Sequence, residues 1–153
     1  MNTDESRAVK TASTFRQSCA ITTTIAAPPE RVWALLTNAA DFPRWNSTVT
    51  RLDGEIALGK KLSLQVPISK RTFTPTVVEL EPNRKMVWSD GMAPFFKGVR
   101  TFTLTPAGGE TEFSMVEVLA GITLPMARSS LPDFAPAFEQ YAKDLKREAE
   151  RPV

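Results

Sequence analysis

Residues 99–117 read VRTFTLTPAGGETEFSMVE, two alternating segments on either side of the pair Gly108-Gly109. Alternation with a period of two is typical of β-strands, and a Gly-Gly pair between two such segments is typical of a two-residue hairpin turn. With this turn, Ala107 lies opposite Glu110, and each earlier residue of the first strand acquires one partner on the second. The stretch therefore predicts a long antiparallel hairpin with a defined register.

The predicted register places three residue pairs on one face of the hairpin: Leu104 with Phe113, Phe102 with Met115, and Arg100 with Glu117. Most of these side chains are apolar, so we expect this face to be buried. Arg100 and Glu117 would then form an ion pair at the inner end of an apolar face, where an unpartnered charge is costly. The pair has three interpretations: the two charges only neutralise each other, one of them orients the polar end of a ligand, or the pair takes part in catalysis.

The segments that precede the hairpin predict one strand, two short helices and further strands. Residues 18–25 alternate and are rich in β-branched side chains, which predicts the first strand. Pro28 and Pro29 suit the first turn of a helix, and a second short helical segment is expected to end at Pro43. The remaining strands are predicted at about residues 48–54, 61–66, 72–80, 84–90, 95–105 and 111–119.

The C-terminal segment predicts a long amphipathic helix. Its apolar residues recur at spacings of three and four: Leu131, Phe134, Phe138, Tyr141, Leu145 and Ala149. Charged residues, Asp144 and Arg147 among them, fall largely on the other side. An interior proline removes a helical hydrogen bond and costs ~3 kcal/mol. Pro132 therefore predicts a kink, with the main helix starting at about Asp133.

This order of elements predicts a single domain of the α+β class with an antiparallel sheet. A chain of 153 residues, 42% of them apolar, can bury one core. Residues 1–16 show no periodicity and are expected to form a mobile leader, which leaves residues 17–153 as the folded domain. Neither an apolar run of the ~20 residues that span a membrane nor a secretory signal is present. We therefore expect a cytoplasmic location without integral membrane association.

The composition excludes several kinds of chemistry. The sequence contains no histidine, which removes Ser-His-Asp and Cys-His catalysis as well as histidine-bound metals. No cofactor or metal motif is present, so neither is expected. Nineteen basic and seventeen acidic residues give a formal charge of +2 without a basic run, so neither nucleic acid nor an acidic membrane is indicated as a partner. Cys19, the only cysteine, is expected to be a buried structural thiol.

Aromatic and Met side chains are the candidates for lining a space between the sheet and the C-terminal helix. The candidate ligand contacts are Trp45, Trp88, Met92, Phe95, Arg100, Phe102, Phe113, Met115, Glu117, Phe134, Phe138 and Tyr141. Such side chains adapt to varied apolar ligands, although they also simply fill cores. Tyr141 combines an apolar ring with a hydroxyl that can bind a ligand's polar atom. Asp90 and Glu117 are the only acids considered for proton transfer, and no catalytic set is assigned.

Several strings resemble the START/Bet v 1-like (SRPBCC) superfamily, in particular bacterial polyketide cyclase/dehydrase-like proteins, over about residues 18–151. They are residues 27–36 (APPERVWALL), residues 41–46 (DFPRWN), the Trp88 strand after Pro82, and residues 98–102 (GVRTF) answered by residues 113–117. The resemblance implies a helix-grip fold, in which a curved seven-stranded antiparallel sheet wraps around a long C-terminal helix. It implies a strand order 1-7-6-5-4-3-2, two short helices between strands 1 and 2, and ligand entry between sheet and helix.

Three functions are carried forward, because the fold does not settle the activity. The first is binding of a small hydrophobic ligand of lipid, polyketide or aromatic type. The second is a polyketide cyclase/aromatase-like enzyme that uses Arg100 with Glu117, Asp90 or Tyr141. The third is a protein-interaction module of the kind found in chaperone-associated relatives. Whether the chain is an enzyme stays open, as does assembly into a homodimer.

Overall fold

A computed structural model describes residues 6–152 of the chain as a curved sheet that packs against a C-terminal helix. The strands are β1 (Val9–Ala12), β2 (Arg16–Ile25), β3 (Arg51–Asp53), β4 (Ser63–Gln65), β5 (Thr76–Glu81), β6 (Lys85–Met92), β7 (Phe96–Ala107) and β8 (Glu110–Ala120). The helices are α1 (Pro29–Leu36), α2 (Phe42–Trp45), α3 (Leu124–Ala127) and α4 (Ala135–Ala149), with 3-10 turns at Ala39–Asp41 and Arg128–Ser130. The α+β helix-grip class predicted from the sequence is confirmed.

The strands form one six-stranded antiparallel sheet and one two-stranded pair. The large sheet has the order β1-β2-β8-β7-β6-β5, and β3 pairs with β4. Reciprocal backbone hydrogen bonds between Leu64 and Phe73, at 2.8 and 2.9 Å, connect β4 to the segment that leads into β5. The predicted strand order is therefore reproduced from β2 onward. The observed strands differ from the predicted seven-stranded sheet in two ways. The sheet is divided between β4 and β5, and it has an additional edge strand.

That edge strand, β1, lies where the sequence analysis expected a mobile leader. It pairs with β2 in the register Val9 opposite Ala20 through Ala12 opposite Gln17. Its four residues are all exposed, so no alternation of buried and polar positions marks it in the sequence. Contacts with the other end of the chain reinforce it: Lys10 Nζ lies 3.1 Å from Asp133 Oδ1. Residues 1–5 of the expected leader lie outside the described residues.

The hairpin of β7 and β8 has the predicted register. Arg100 lies opposite Glu117, with Phe102 opposite Met115 and Leu104 opposite Phe113. The turn residues Gly108 and Gly109 adopt φ angles of 60° and 87°, a region that is costly for residues with a side chain. The four apolar members of these pairs are fully buried, as expected for the inner face of the sheet.

The C-terminal segment is interrupted before α4, as its prolines predicted. The 3-10 turn ends at Ser130, and α4 begins at Ala135, two residues after the predicted start. Pro136 falls in the first turn of α4, where the missing N–H would have no helical partner anyway. One side of α4 carries the buried apolar residues Phe138, Tyr141, Ala142, Leu145 and Ala149.

Two polar anchors fix α4 relative to the short helices. Arg31 on α1 donates hydrogen bonds to the carbonyl oxygens of Ala149 and Arg151 at the end of α4. Asp144 is buried and accepts hydrogen bonds from the backbone N–H and the hydroxyl of Ser47, both at 2.7 Å. The side chains of Gln140 and Arg147 also donate hydrogen bonds to Asp144. The sequence had placed Asp144 on the solvent side of the helix.

None of the helices within residues 6–152 has the length and the apolar composition needed to cross a bilayer.

Candidate functional site

A cavity of about 140 Å³ lies between the inner face of the sheet and α4; we call it the inner cavity. The sheet contributes Trp88, Asp90, Gly91, Phe96, Gly98, Arg100, Glu117 and Leu119. The helical side contributes Leu131, Phe134, Ala137, Phe138 and Tyr141. The segment around β4 and the β4–β5 connection contributes Leu64, Val66, Ile68, Arg71, Phe73 and Pro75, and Thr48 and Val49 complete the wall. The exposed residues Ile68 and Arg71 mark its mouth.

The register of the sheet places three residues of the cavity with polar groups, Trp88, Arg100 and Glu117, in one row. Trp88 on β6 is opposite Arg100 on β7, which is opposite Glu117 on β8, which is opposite Cys19 on β2. Directly opposed residues of neighbouring strands project from the same face of a sheet. The row therefore faces α4 across the interior.

Arg100 and Glu117 form the predicted ion pair. Arg100 Nε donates to Glu117 Oε1 at 2.6 Å, and their side chains are 19% and 17% exposed. The guanidinium carbon of Arg100 also lies 5.1 Å from the ring centroid of Phe138, within the range of a cation–π interaction. Sheet and helix thus hold the arginine from two sides.

Gly98 leaves room for the carboxylate of this pair. A Cβ atom at position 98 would lie 3.3 Å from Glu117 Oε2 and 3.1 Å from Leu119 Cδ2. Both distances are shorter than ordinary carbon contacts. The absence of a side chain at Gly98 therefore positions Glu117 next to the cavity.

Tyr141 stands in a cluster of aromatic rings at the base of the cavity. Its ring centroid lies 6.2 Å from that of Trp45, 6.3 Å from that of Phe113 and 6.4 Å from that of Phe102. Burial raises the pKa of the Tyr141 hydroxyl well above its ordinary value, although the nearby Arg100 opposes this shift. The phenol therefore keeps its proton at neutral pH and can donate a hydrogen bond.

Two residues that line the cavity carry buried donors without a hydrogen-bond partner among residues 6–152, the indole nitrogen of Trp88 and the hydroxyl of Tyr141. The indole nitrogen of Trp45 and the amide nitrogen of Asn46, which do not belong to the lining, also have none. Buried polar groups without a partner are rare in proteins and cost about 1–3 kcal/mol each. A molecule in the cavity that carries an acceptor oxygen could satisfy the donor of Trp88 or of Tyr141.

The twelve candidate contacts separate into three groups. Six line the inner cavity: Trp88, Arg100, Glu117, Phe134, Phe138 and Tyr141. Four others, Trp45, Phe102, Phe113 and Met115, are buried in the core behind that lining. The last two, Met92 and Phe95, are 69% and 54% exposed and lie outside the cavity: Met92 is the last residue of β6, and Phe95 lies in the turn that leads to β7. Asp90, considered for proton transfer, does line the cavity.

The sequence analysis missed the contribution of the β4–β5 connection. Val66 and Ile68 continue the alternation of Leu62 and Leu64 past the end of the strand, and this continuation was the available signal. Ala137 was also missed, because a small residue on a helix face gives no indication that it borders open space.

A second space, the outer groove, lies between the β1–β2 hairpin and residues 128–134, with a volume of about 400 Å³. Four residues line both spaces and separate them: Glu117, Leu119, Leu131 and Phe134. Cys19 borders the groove but is buried, and burial raises the pKa of its thiol. The buried, protonated thiol agrees with its predicted structural character. Within residues 6–152 no three acidic or cysteine side chains gather as a metal site would require.

Solved structures with the same fold come from several bacteria. A protein from Rhodobacter sphaeroides is 25% identical, with a TM-score of 0.64 and coverage of 92% of this chain and 96% of that one. A START superfamily protein from Mycobacterium smegmatis is 18% identical, with a TM-score of 0.64 and coverage of 87% and 97%. BexL, a di-domain ARO/CYC of the BE-7585A biosynthetic pathway, is 17% identical, with a TM-score of 0.70 and coverage of 92% of this chain and 52% of that one.

No curated protein matches the sequence. A family model described as polyketide cyclase / dehydrase and lipid transport matches residues 16–150, which contain the sheet from β2 onward, all of α4 and every residue of the inner cavity. The resemblance to polyketide cyclase/dehydrase-like proteins is thereby confirmed, and the chain belongs to the polyketide cyclase / dehydrase and lipid transport family.

Proposed function

We propose that the protein binds a small, uncharged apolar molecule that carries an aromatic ring and an acceptor oxygen, with the ring in the inner cavity. The observation that carries this proposal is the pair of unpartnered donors, Trp88 Nε1 and Tyr141 OH, on two residues that line a cavity with otherwise mainly apolar walls. A carbonyl or ether oxygen of the ligand would accept a hydrogen bond that no described residue accepts.

The volume of the cavity favours one ring over a long chain. An apolar cavity of roughly 150 Å³ is large enough to hold benzene, whereas sites for larger ligands usually measure ~300–1,000 Å³. At about 140 Å³, the inner cavity accommodates a single ring. A polyketide or a lipid would have to leave the rest of its length in the mouth, beside Ile68 and Arg71.

The charges of the lining favour a neutral ligand. Four charged residues border the cavity, the cations Arg71 and Arg100 and the anions Asp90 and Glu117, so their formal charges cancel. Arg100 is already paired with Glu117 at 2.6 Å, and Asp90 accepts a hydrogen bond from the backbone N–H of Thr74 at 3.3 Å. A charged group placed beside Arg100 and Glu117 would compete with this pair, at a cost that a neutral ligand avoids.

The test compares acetophenone with ethylbenzene, two single-ring probes of similar shape of which only the first has a carbonyl. NMR titration should show acetophenone binding more tightly by roughly fivefold to tenfold, the value of about one hydrogen bond. Shift changes should centre on Trp88 and Tyr141. Replacing Ala137 by Phe fills the cavity and should abolish binding, whereas the same change at the exposed Ala34 on α1 should leave it intact. Equal affinity for the two probes, or binding that survives in A137F, would contradict the proposal.

A second candidate function is cyclisation or dehydration of a ketone, favoured by the position of the Arg100–Glu117 pair at the cavity. Arg100 would polarise a carbonyl, and Glu117 would remove the adjacent C–H proton, so that the enolate attacks a second carbonyl and the resulting alkoxide takes up a proton from a donor group. Once Glu117 has returned its proton to that donor, it would remove the remaining α proton and pass it to the departing hydroxyl group, which leaves as water. Tyr141, which holds its proton, suits donation to the developing alkoxide.

This chemistry is tested with a synthetic aryl polyketone thioester and mass spectrometry that follows the loss of one water. Replacing Glu117 by Gln removes the base but keeps an oxygen for Arg100, so turnover should disappear while acetophenone still binds. Turnover that continues in E117Q would exclude Glu117 as the base. Binding of acetophenone without any turnover would leave the protein a carrier.

A further inference from the structure

Five of the exposed apolar side chains gather at one end of the sheet; we call this surface the apolar tip. Its residues are Phe15, Met92, Phe95, Ile122 and Met126, which are between 54% and 78% exposed. They come from three loops that follow each other in space: the β1–β2 turn, the β6–β7 turn and the segment from β8 into α3. Exposed apolar surface concentrated in one place marks an interaction site more often than scattered single residues do.

The three loops are held together by backbone hydrogen bonds. Ile122 N–H donates to Pro94 O at 2.9 Å, Thr123 N–H donates to Phe95 O at 3.0 Å, and Gly121 N–H donates to Phe15 O at 3.0 Å. Gly121 has a φ of 148°, and a Cβ atom there would lie 2.0 Å from Phe95 O. Only glycine allows this approach, so the tip is a fixed surface.

Basic residues outnumber acidic ones around the tip, where the nearest acid along the chain is Asp90, two residues before Met92. Residues 6–29, 91–109 and 118–132, which supply the three loops, contain no aspartate or glutamate. Arg16 and Lys97 both lie opposite Ala120 in the sheet, and within residues 6–152 neither forms a salt bridge. Arg128 donates hydrogen bonds to the side-chain oxygen of Gln17 and the carbonyl of Ser13, which leave its charge unneutralised. The sequence showed these cations as scattered; the fold brings them to one end.

We propose that the apolar tip docks onto the surface of a lipid bilayer that contains anionic lipids. Apolar and aromatic side chains of the tip would enter the headgroup region, while Arg16, Lys97 and Arg128 would contact the negative headgroups. A second copy of this chain matches the tip less well, because a symmetric contact would bring these like charges together. An anionic bilayer presents the opposite charge on every side of the tip.

The tip adjoins the inner cavity along the chain. Phe95 belongs to the tip, and the next residue, Phe96, lines the cavity together with Gly91 of the same hairpin. A protein docked by this end therefore holds the hairpin that borders its cavity close to the apolar phase. The docking itself requires no bound ligand, so it can be tested separately from the proposed function.

Co-sedimentation tests the proposal with vesicles of phosphatidylcholine alone and of phosphatidylcholine mixed with phosphatidylglycerol. The full-length protein should bind the anionic vesicles, fail to bind the neutral ones, and lose affinity as salt is added. The variant with Met92→Ser, Ile122→Ser and Met126→Ser should bind at least about tenfold more weakly, since lost apolar contact weakens interfacial binding. Lys97→Glu should cost roughly fivefold or more, the value of one basic residue near such a surface.

The matched control is Leu58→Ser, which removes an equally exposed apolar side chain outside the tip and should leave vesicle binding unchanged. Absence of binding to anionic vesicles would overturn the proposal. An equal loss of affinity in Leu58→Ser would also overturn it, as would unchanged affinity in both the triple variant and Lys97→Glu. Size-exclusion chromatography tests whether the tip instead binds a second copy of the chain or another protein. A stable dimer that the triple variant converts to monomers would assign the tip to a second copy, and a stoichiometric protein partner lost in that variant would assign it to a protein; either result would overturn the bilayer proposal.

Discussion

Tyr141 is the only tyrosine of the sequence, so near-ultraviolet absorbance reports its ionisation without interference from another phenol. Because burial raises its pKa, the folded protein should keep this proton beyond pH ~10, the ordinary pKa of tyrosine. The unfolded chain releases the proton there and the folded chain does not. The free energy of unfolding should therefore be unaffected by Tyr141 below pH ~10 and fall above it, by up to ~1.4 kcal/mol per pH unit.

The control for this prediction is Tyr141→Phe. Its stability should lack this alkaline component, while other groups that titrate in the same range act equally in both proteins. Urea unfolding at a series of alkaline pH values measures the difference between them. A tyrosinate signal in the folded protein near pH 10 would show that the hydroxyl is accessible to water.

Single residues also show where sequence reasoning succeeds. Arg100 and Glu117 could be paired in advance because a Gly-Gly turn and period-two alternation fix the register of a hairpin. Asp144 could not be identified as buried, because its partner Ser47 is distant in the sequence and only the packing of α4 brings them together. Trp88 and Tyr141 were named as candidates, but their lack of partners depends on three-dimensional surroundings that no pattern records.

At the scale of elements, α4 depends on Asp144 for its position relative to the short helices. Replacing Asp144 by Ala removes the acceptor for both the N–H and the hydroxyl of Ser47, so the free energy of unfolding should fall by about 3 kcal/mol. Denaturant unfolding measures this loss. Ser47→Ala removes only one hydrogen bond and should cost about 1 kcal/mol.

The control for Asp144 is Asp53, whose ion pair with Arg51 at 2.6 Å lies at the surface. Asp53→Ala should cost no more than about 1 kcal/mol, because exposed ion pairs contribute little. Equal losses in the two alanine variants would contradict the role assigned to Asp144.

The elements differ in how clearly the sequence encodes them. Strands β7 and β8 are long, alternate strictly and share a recognisable turn, so they were predicted with their register. Strand β1 has no buried residue and was missed, because its position depends on pairing with β2 and on the contact of Lys10 with the distant Asp133, which no local pattern records. The start of α4 was predicted two residues early, since several prolines in the segment each allowed a different boundary.

At the scale of the whole molecule, β1 covers the edge of the six-stranded sheet. A chain lacking residues 1–12 would expose the backbone groups of residues 17–20, the part of β2 that pairs with β1, and would lengthen an open edge that pairs readily with another chain. We expect the shortened protein to self-associate, which light scattering over a range of concentrations measures. Lys10→Ala, which removes only the exposed ion pair with Asp133, should remain as soluble as the parent protein. A shortened protein that stays monodisperse would show that β1 does not protect this edge.

The inner cavity is also a property of the whole molecule. The sequence predicted which faces form its walls but not its volume. Which faces meet follows from alternation along strands and periodicity along the helix. The volume of about 140 Å³ depends on how closely α4 approaches the sheet, which no local pattern determines. Met92 and Phe95 were proposed as contacts because aromatic and Met side chains crowd the segment before β7, and composition alone does not show that both side chains point to the outside.

Glu117 borders both the inner cavity and the outer groove. A ligand that seals the mouth beside Ile68 and Arg71 leaves the rear approach to this carboxylate open through the groove. Water there can deliver or remove a proton at Glu117 while the ligand stays in place. A ligand bound as proposed would therefore use one entrance and water another, and closing the first would not close the second.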